Sequence, residues 1–316
     1  MIRHLSFASK GQAVAEIVRQ APASVYCSNA RYSSPSLPME EKGWKGAELI
    51  FDIDAGDIPT QCKKTHDLWY CVRCGTYGRL PRPPECPSCK SQTDEFRGSC
   101  ITCLTATKDH ALRVIDFLTH DFGTSKDEIF TYFSGNRGYH LHVYDRRFLS
   151  LSSQARAEIS DYMRGTSLQS SQTLLSSVKI LLAQKGDGLG WTGRIAMYVQ
   201  KTRKNSITQR MINEAIRSQI AMVDPSVTTD IHRVFRLAGT LHGTTGMLKK
   251  RVDSFERFDV TNDPVVLGEE EVRLHVSFYP RFSLRGRTFG PFKNEEVRIP
   301  VYAAISILTR GLAEVA

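Results

Sequence analysis

No stretch of this 316-residue chain is apolar for long enough to cross a membrane as a helix. Its start, Met1-Ile2-Arg3-His4-Leu5, lacks the apolar core and cleavage pattern of a secretion signal. The expectation is therefore a cytoplasmic protein with no membrane partner. Internal repeats and low-complexity tracts are absent too. Cysteine is nearly missing outside one window: of the eight, only Cys27 lies beyond positions 62–103. A cluster of that kind in a cytoplasmic chain points to metal rather than disulfides, and Cys27 reads as a lone core thiol. Acidic side chains are outnumbered, 33 Asp and Glu against 42 Lys and Arg, for a net charge of +9. That surplus fits a polyanionic partner, though charge alone does not separate nucleic acid from solubility. With 41% apolar and 24% charged residues the composition is that of an ordinary globular chain, long enough for one large domain or two smaller ones.

What the chain does contain is first visible at Glu48-Leu49-Ile50-Phe51-Asp52-Ile53-Asp54. This short apolar run, closed by Ala55-Gly56, reads as a buried strand. Side chains alternate along a strand, so Asp52 and Asp54 share a face. Two carboxylates so placed repel each other, and a hard divalent cation relieves the repulsion. The pair suggests metal-assisted phosphoryl transfer. Two acids at a strand end facing water is the plainer alternative.

The rest of the chain reads as mixed α/β. A strand is expected at residues 3–7, a helix at 12–19 and a loop at 33–45. Residues 60–104 change character and look like an inserted module. A helix follows over 105–120, with Ala111, Leu112, Ile115 and Leu118 on one face and Gly123 beyond it as a stop. Strands are expected at 129–133 and 139–144 around a turn at 134–138. In the second strand Tyr139, Leu141 and Val143 take one face, and His140, His142 and Tyr144 the other. Residues 150–222 read as a peripheral, mainly helical insertion that is basic at 201–204. A helix starting near Thr228 or Thr229 would carry Ile231, Val234, Phe235 and Ala238 and stop at Gly239. Near the C-terminus, Pro300 starts a helix whose core stripe is Val301, Ala304, Ile305 and Leu308.

Two further groups carry chemistry. In Ser134-Gly135-Asn136-Arg137-Gly138 the glycines permit close backbone approach, Ser134 offers a hydroxyl, and Arg137 can grip phosphate oxygens at two points. His140 emerges just beyond. A plain hairpin turn with a surface arginine fits the same residues. The other group runs from Asp224 through Arg233 and Arg236 to His242. It offers a third carboxylate with cations and a histidine, the parts a triphosphate site uses. A turn aspartate followed by a solvated helix face fits as well.

Cys71-x-x-Cys74 and Cys86-x-x-Cys89, eleven residues apart, can place four thiolates around one tetrahedral Zn²⁺. Cys62, His66, Cys100 and Cys103 form a second set with ligand spacing. Basic residues (Lys63, Lys64, Arg73, Arg79, Arg82, Lys90, Arg97) and aromatics (Trp69, Tyr70, Tyr77) surround the cysteines. They would suit a nucleic-acid strand, and a rigid structural knob is the alternative.

Phe51-Asp52-Ile53-Asp54, then Phe133-Ser134-Gly135-Asn136-Arg137-Gly138-Tyr139-His140, then Asp224 with Arg233-Val234-Phe235-Arg236 and Leu241-His242-Gly243 resemble, in that order, the small catalytic subunit of the archaeal and eukaryotic DNA primase family. Arg3-His4-Leu5-Ser6-Phe7, Met39-Glu40-Glu41-Lys42-Gly43-Trp44 and Arg310-Gly311-Leu312-Ala313-Glu314 add to the resemblance. It covers nearly the whole chain and is nearest to archaeal members. It implies a primase catalytic domain over 1–316: mixed β-sheets flanked by helices, an inserted zinc-binding module at 60–104 and the helical insertion at 150–222. It implies that Asp52, Asp54 and Asp224 form the catalytic triad and hold Mg²⁺ or Mn²⁺. By the same matching, Ser134, Arg137, His140, Arg236 and His242 contact the nucleotide. Zinc would be structural, with the choice between Cys71/Cys74/Cys86/Cys89 and Cys62/His66/Cys100/Cys103 open. The implied activity is DNA-templated synthesis of short RNA primers by two metal ions, near the nucleoid, with extension in deoxynucleotides left open. The implied partners are single-stranded DNA template, nucleoside triphosphates and a large primase subunit. Family members usually carry a helical segment, reaching the nucleotide, before the Arg-His-Leu-Ser-Phe stretch at which this chain begins. Either the start is truncated or those contacts come from elsewhere. A gap-filling primase-polymerase and a non-catalytic zinc-ribbon binder are the rival readings.

Overall fold

One antiparallel sheet with two unlike faces positions the acids. In this computed structural model, which describes residues 2–98, 100–166, 168, 172–184, 188–202 and 207–316, the strands run in the order Lys250–Arg251, Ile129–Phe133, Gly138–Val143, Leu49–Asp54. Register pairs Phe51 with Leu141 and Leu141 with Thr131; it pairs Asp52 with His140 and His140 with Tyr132. Directly paired residues point the same way. One face is thus apolar (Leu49, Phe51, Ile53, Tyr139, Leu141, Val143, Phe133) and buried to 3% exposure or less. The other presents Ile50, Asp52, Asp54, His140, His142, Phe130 and Tyr132.

The apolar face packs on helix Ile101–Asp116 through Ala111 and Val114, and on Phe117 and Leu118 in the wider turn that follows. Gly123 closes this segment in a left-handed conformation, φ +64°. Helices Ser153–Arg164, Gln172–Ala183, Gly190–Thr202 and Gln209–Gln219 add Met163, Val178, Trp191, Ile195, Ile212 and Ile216 to the same core. In the basic run at 201–204, Arg203 and Lys204 lie outside the described residues. No helix among the described residues is long and apolar enough to cross a membrane.

A second core lies under the sheet Glu271–Tyr279, Phe292–Pro300 and Ala313–Val315 and helix Val301–Leu308. The cysteine-rich segment docks here by its strands Leu68–Cys71 and Thr93–Phe96. Tyr70 stacks on Phe278 at 5.2 Å, and Phe96 meets Tyr279 edge-on at 5.2 Å.

The architecture is mixed α/β, as the residue patterns indicate, with local differences. Residues 3–7 form no strand, and the first helix is Lys10–Gln20, capped by Ser9. The 33–45 stretch includes a short turn of helix, Met39–Glu41, and the start of strand Trp44–Ala47. The helix begun near Asp224 stops at Thr229, and Val234–Arg236 is a strand paired with Tyr26–Ser28. Arg233 and Arg236 therefore share no helix face. The C-terminal helix buries Tyr302, Ala303, Ala304 and Ile307, while Val301, Ile305 and Leu308 are only half-buried. Cys27 sits exposed on a strand instead of in a core. Trp69 and Tyr70 are buried, so neither offers a free face to a base.

Candidate active site

The polar sheet face is covered in part by helix Pro225–Thr229 and strand Val234–Arg236, whose Val227 and Phe235 pack on Ile50. What remains open is a pocket of about 240 Å³ lined by Tyr26, Asp52, Asp54, Ser134, Asn136, His140, Val227, Arg233, Val234, Phe235, Arg236 and His242. Six of the eight candidate site residues line it together. Asp224 and Arg137 stand at its margin. The Asp224 backbone N–H donates to the Asp52 carbonyl at 3.0 Å, which docks the third acid beside the first strand. Its carboxylate caps the short helix by accepting from Ser226 N at 2.8 Å. Arg137 is turned onto Asp54, Nε to Oδ1 at 2.9 Å, and Asp54 also accepts from Gly56 N at 2.6 Å.

Asp52 feels the acids around it. Burial, then Asp54, Asp224 and Asp57, push Asp52 up to about 7, against a smaller opposing pull from Arg233. Such a concentration of hard oxygen donors suits Mg²⁺ or Mn²⁺, and Asp52, Asp54 and Asp224 are the residues that would hold it. The acids do not converge as tightly as thiols do: among the described residues, three or more ligand atoms come within 4.8 Å of one another in two places, and both are the cysteine sets.

The cations and histidines are fixed before any ligand arrives. Arg236, 8% exposed, donates to Leu241 O at 3.0 Å, Tyr26 Oη at 3.2 Å and Ser24 Oγ at 3.3 Å. His242 Nδ1 accepts from Thr244 N at 3.2 Å, and burial beside Arg236 and Arg310 pulls the ring down to about 4. It is neutral at pH 7 and carries its proton on Nε2, a donor. His140 is likewise held neutral by burial, its Nε2 3.5 Å from Asp52 and its Nδ1 without a hydrogen-bond partner among the described residues. Two glycines make this packing possible. A Cβ at Gly138 would lie 2.1 Å from Ile53 O, and one at Gly135 (φ +85°) would lie 2.9 Å from Met247 O and 3.0 Å from His242 Cβ. Thr245 Oγ1 donates to Gly135 O and joins the two turns.

Sequence reasoning gave no site role to Tyr26, Asn136, Asp57 or Lys249. Lys249 is 2% exposed and donates to His142 Nε2 at 3.2 Å, while His142 Nδ1 meets Glu48 at 3.3 Å. Burial holds this lysine down at about 8. No local signal gave it: the pairing of Arg251 with Tyr132 is what brings Lys249 onto the same sheet face as that ring.

Both cysteine sets close into compact ligand groups. In the inner set Cys71 Sγ is 3.5 Å from Cys89 Sγ, and Cys74 Sγ 3.7 Å from Cys86 Sγ. A hydrogen bond with the Thr76 hydroxyl draws Cys74 down, while burial pushes Cys71 up. In the outer set Cys62 Sγ and His66 Nε2 lie 3.3 and 3.2 Å from Cys103 Sγ. His66 Nδ1 donates to Asp67 at 3.1 Å, which leaves Nε2 bare toward the sulfurs. Four thiolates, and three thiolates with one imidazole, are donor sets that fit Zn²⁺.

Residues 96–254 match the family model described as DNA primase small subunit. The DNA primase small subunit PriS of Cenarchaeum symbiosum is 34% identical, covering 100% of this chain and 88% of that protein. The PriS of Nitrosopumilus maritimus is 32% identical with the same coverage, and that of Archaeoglobus fulgidus is 31% identical over 98% of this chain and 85% of its own length.

Proposed function

The chain belongs to the DNA primase small-subunit family, an enzyme family of DNA replication that joins nucleotides on a DNA template, and from that membership we propose that it synthesises short RNA primers at the pocket around Asp52. The observation that carries this reading is the gathering of Asp52, Asp54, Ser134, His140, Arg236 and His242 around one cavity on one sheet face.

Asp52, Asp54 and Asp224 would hold the divalent ions. When bound, such ions lower the pKa of the attacking 3′-hydroxyl and offset charge on the leaving pyrophosphate. The chain's own residues bind and orient the triphosphate. Arg236, anchored on Tyr26 and Leu241, supplies fixed positive charge. His242 Nε2–H and the Ser134 hydroxyl donate to phosphate oxygens. Arg137 bridges Asp54 and the triphosphate, so nucleotide entry and the acid pair are coupled through one guanidinium. Neutral His140 offers a hydrogen bond without repelling the cations. Zn²⁺ is structural, in both cysteine sets. A large primase subunit completes the enzyme, as the small-subunit name of the relatives implies.

Labelled-nucleotide incorporation on single-stranded template, with Mg²⁺ and with Mn²⁺, tests the reading. Wild-type protein is expected to make short products that alkali degrades, and Asp52→Asn and Asp54→Asn none. Full synthesis by either variant overturns it. Products made only from deoxynucleotides at 5′-phosphate gaps would move the assignment to gap filling.

A further inference from the structure

The sheet face that carries the acids does not end at the pocket. Its next row is Tyr132, paired with His140 on one side and with Arg251 on the other. Phe130, Tyr132, Tyr144 and Arg251, with Asp127 and Glu128 at the rim, line an open groove of about 410 Å³. Phe130 and Tyr144 meet edge-on at 5.0 Å, and the Arg251 guanidinium lies 4.6 Å over the Phe130 ring. Tyr144 is 37% exposed, and Arg251, paired with Asp253 at 2.7 Å, is 55% exposed. On the pocket side the Lys249 ammonium lies 5.2 Å from the Tyr132 ring and 3.2 Å from His142 Nε2. This groove takes no part in the pocket chemistry described above.

We propose that the groove is a stacking site for a base of the single-stranded template. The proposal rests on the primer-synthesis reading for its occupant. Three observations favour a base on a strand. Aromatic faces and an arginine plane are what bases stack on, whatever their identity. The carboxylates of Asp127 and Glu128 repel a phosphate in the groove but accept from the ring N–H or amino groups of a base. The groove also continues the face of the acid pocket: Asp52, His140 and Tyr132 stand on adjacent strands in one row, so Tyr132 is roughly 10 Å from Asp52 along the backbone grid, with Phe130 about 7 Å further on. Phe235 covers His140 and His142 between the two, so a strand that reaches both sites passes over the Val234–Arg236 layer. Its phosphates meet Arg251 at the groove edge and the chain's net positive charge beyond it.

The test measures affinity for a fluorescent deoxythymidine oligonucleotide by anisotropy at fixed salt, without triphosphate, in the full chain. Tyr144→Ala is expected to weaken binding by about 5- to 100-fold, and Tyr144→Phe to stay within about 2-fold of wild type, because the ring is what stacks. The template concentration for half-maximal synthesis should rise by the same factor in Tyr144→Ala. As a readout independent of folding defects, an oligonucleotide carrying 5-iodouracil is photocrosslinked to wild-type protein and the adduct mapped. Adducts on Phe130, Tyr132 or Tyr144 support the site. Unchanged oligonucleotide affinity in Tyr144→Ala, or adducts confined elsewhere, overturns it. So does a loss of triphosphate affinity alone, which would make the groove a nucleotide site. If wild-type protein makes no primers on any template, the proposed activity falls, while the binding and crosslinking results still decide the groove.

Discussion

Asp52 is held in a state that costs the fold stability, and removing its charge should show this. Its carboxyl is pushed from the ordinary 3.8 up to about 7, first by burial and then by Asp54, Asp224 and Asp57. A carboxylate whose folded pKa is raised binds its proton more tightly folded than unfolded. Stability therefore falls as pH rises from about 4 to about 7 and stays lower above that. A shift of about 3 units has a ceiling of about 4 kcal/mol. The side chain is 27% exposed, so solvent screening brings the expected cost to about 1–2 kcal/mol at pH 8. Asp52→Asn keeps the shape and removes the charge. Urea melts in chelator at pH 8 should find the variant more stable than wild type by that amount, and the difference should vanish at pH 4. Mn²⁺ should reverse the order, because wild type gains stability by binding the ion and the variant gains far less. Primer synthesis should be lost in the same protein. An Asp52→Asn chain that is less stable than wild type in chelator at pH 8 refutes the electrostatic reasoning. One that gains as much from Mn²⁺ as wild type refutes the assignment of the ligand.

Arg137→Lys keeps a charge but loses the planar fork on Asp54; incorporation assays should show a fall in kcat/KM of about 10- to 100-fold, mainly through the triphosphate KM. His110, held by burial at about 4 with its Nδ1 accepting from Met222 N at 3.1 Å, stays neutral in the fold while the unfolded chain takes up a proton below about 6.5. Stability should drop by about 2 kcal/mol between pH 6.5 and 4.5, and His110→Asn should flatten that slope in urea melts. Arg156 is fully buried and donates to the carbonyls of Ala47, Glu48, Phe148 and Leu151; Arg156→Met should cost about 3–5 kcal/mol by leaving them unpaired. Metal analysis should find two Zn²⁺ per chain, and one each in Cys74→Ser and Cys103→Ser.

What could be read from the sequence was what local spacing controls. Alternation along 49–54 and 139–144 separates a core face from a polar face because a strand has a fixed period of two, and the paired registers preserve it. The CxxC spacings gather ligands for the same local reason. Spacing failed where a distant partner decides. Ile231, Val234 and Phe235 have helical spacing, but the chain turns at Asp230, whose carboxylate accepts from His232 N, and the next residues pair with Tyr26–Ser28 some two hundred positions away. That pairing brings Tyr26 to Arg236, and no local pattern announces it. Tyr70 carried the signature of a base-stacking residue, yet Phe278 takes its face. Lys249 sits in a basic run that reads as solvated, and is buried because Phe235 comes down over it.

The two cysteine sets then differ in what they hold. Cys62 lies eight residues beyond Asp54, at the exit of the acid strand, and Cys103 is fully buried in the first turn of helix Ile101–Asp116, whose Ala111 and Val114 carry the underside of that strand. The outer set therefore ties the loop leaving the acids to the helix beneath them. The inner set shapes the ribbon that docks on Phe278 and Tyr279 in the second core. Loss of the inner ligands loosens a docked module, whereas loss of the outer ligands frees both ends of the insert and, with them, the register of Asp52 and Asp54. For this reason Cys103→Ser should depress primer synthesis further than Cys74→Ser at equal zinc loss, and an equal effect would mean that the insert acts on the pocket only through the second core.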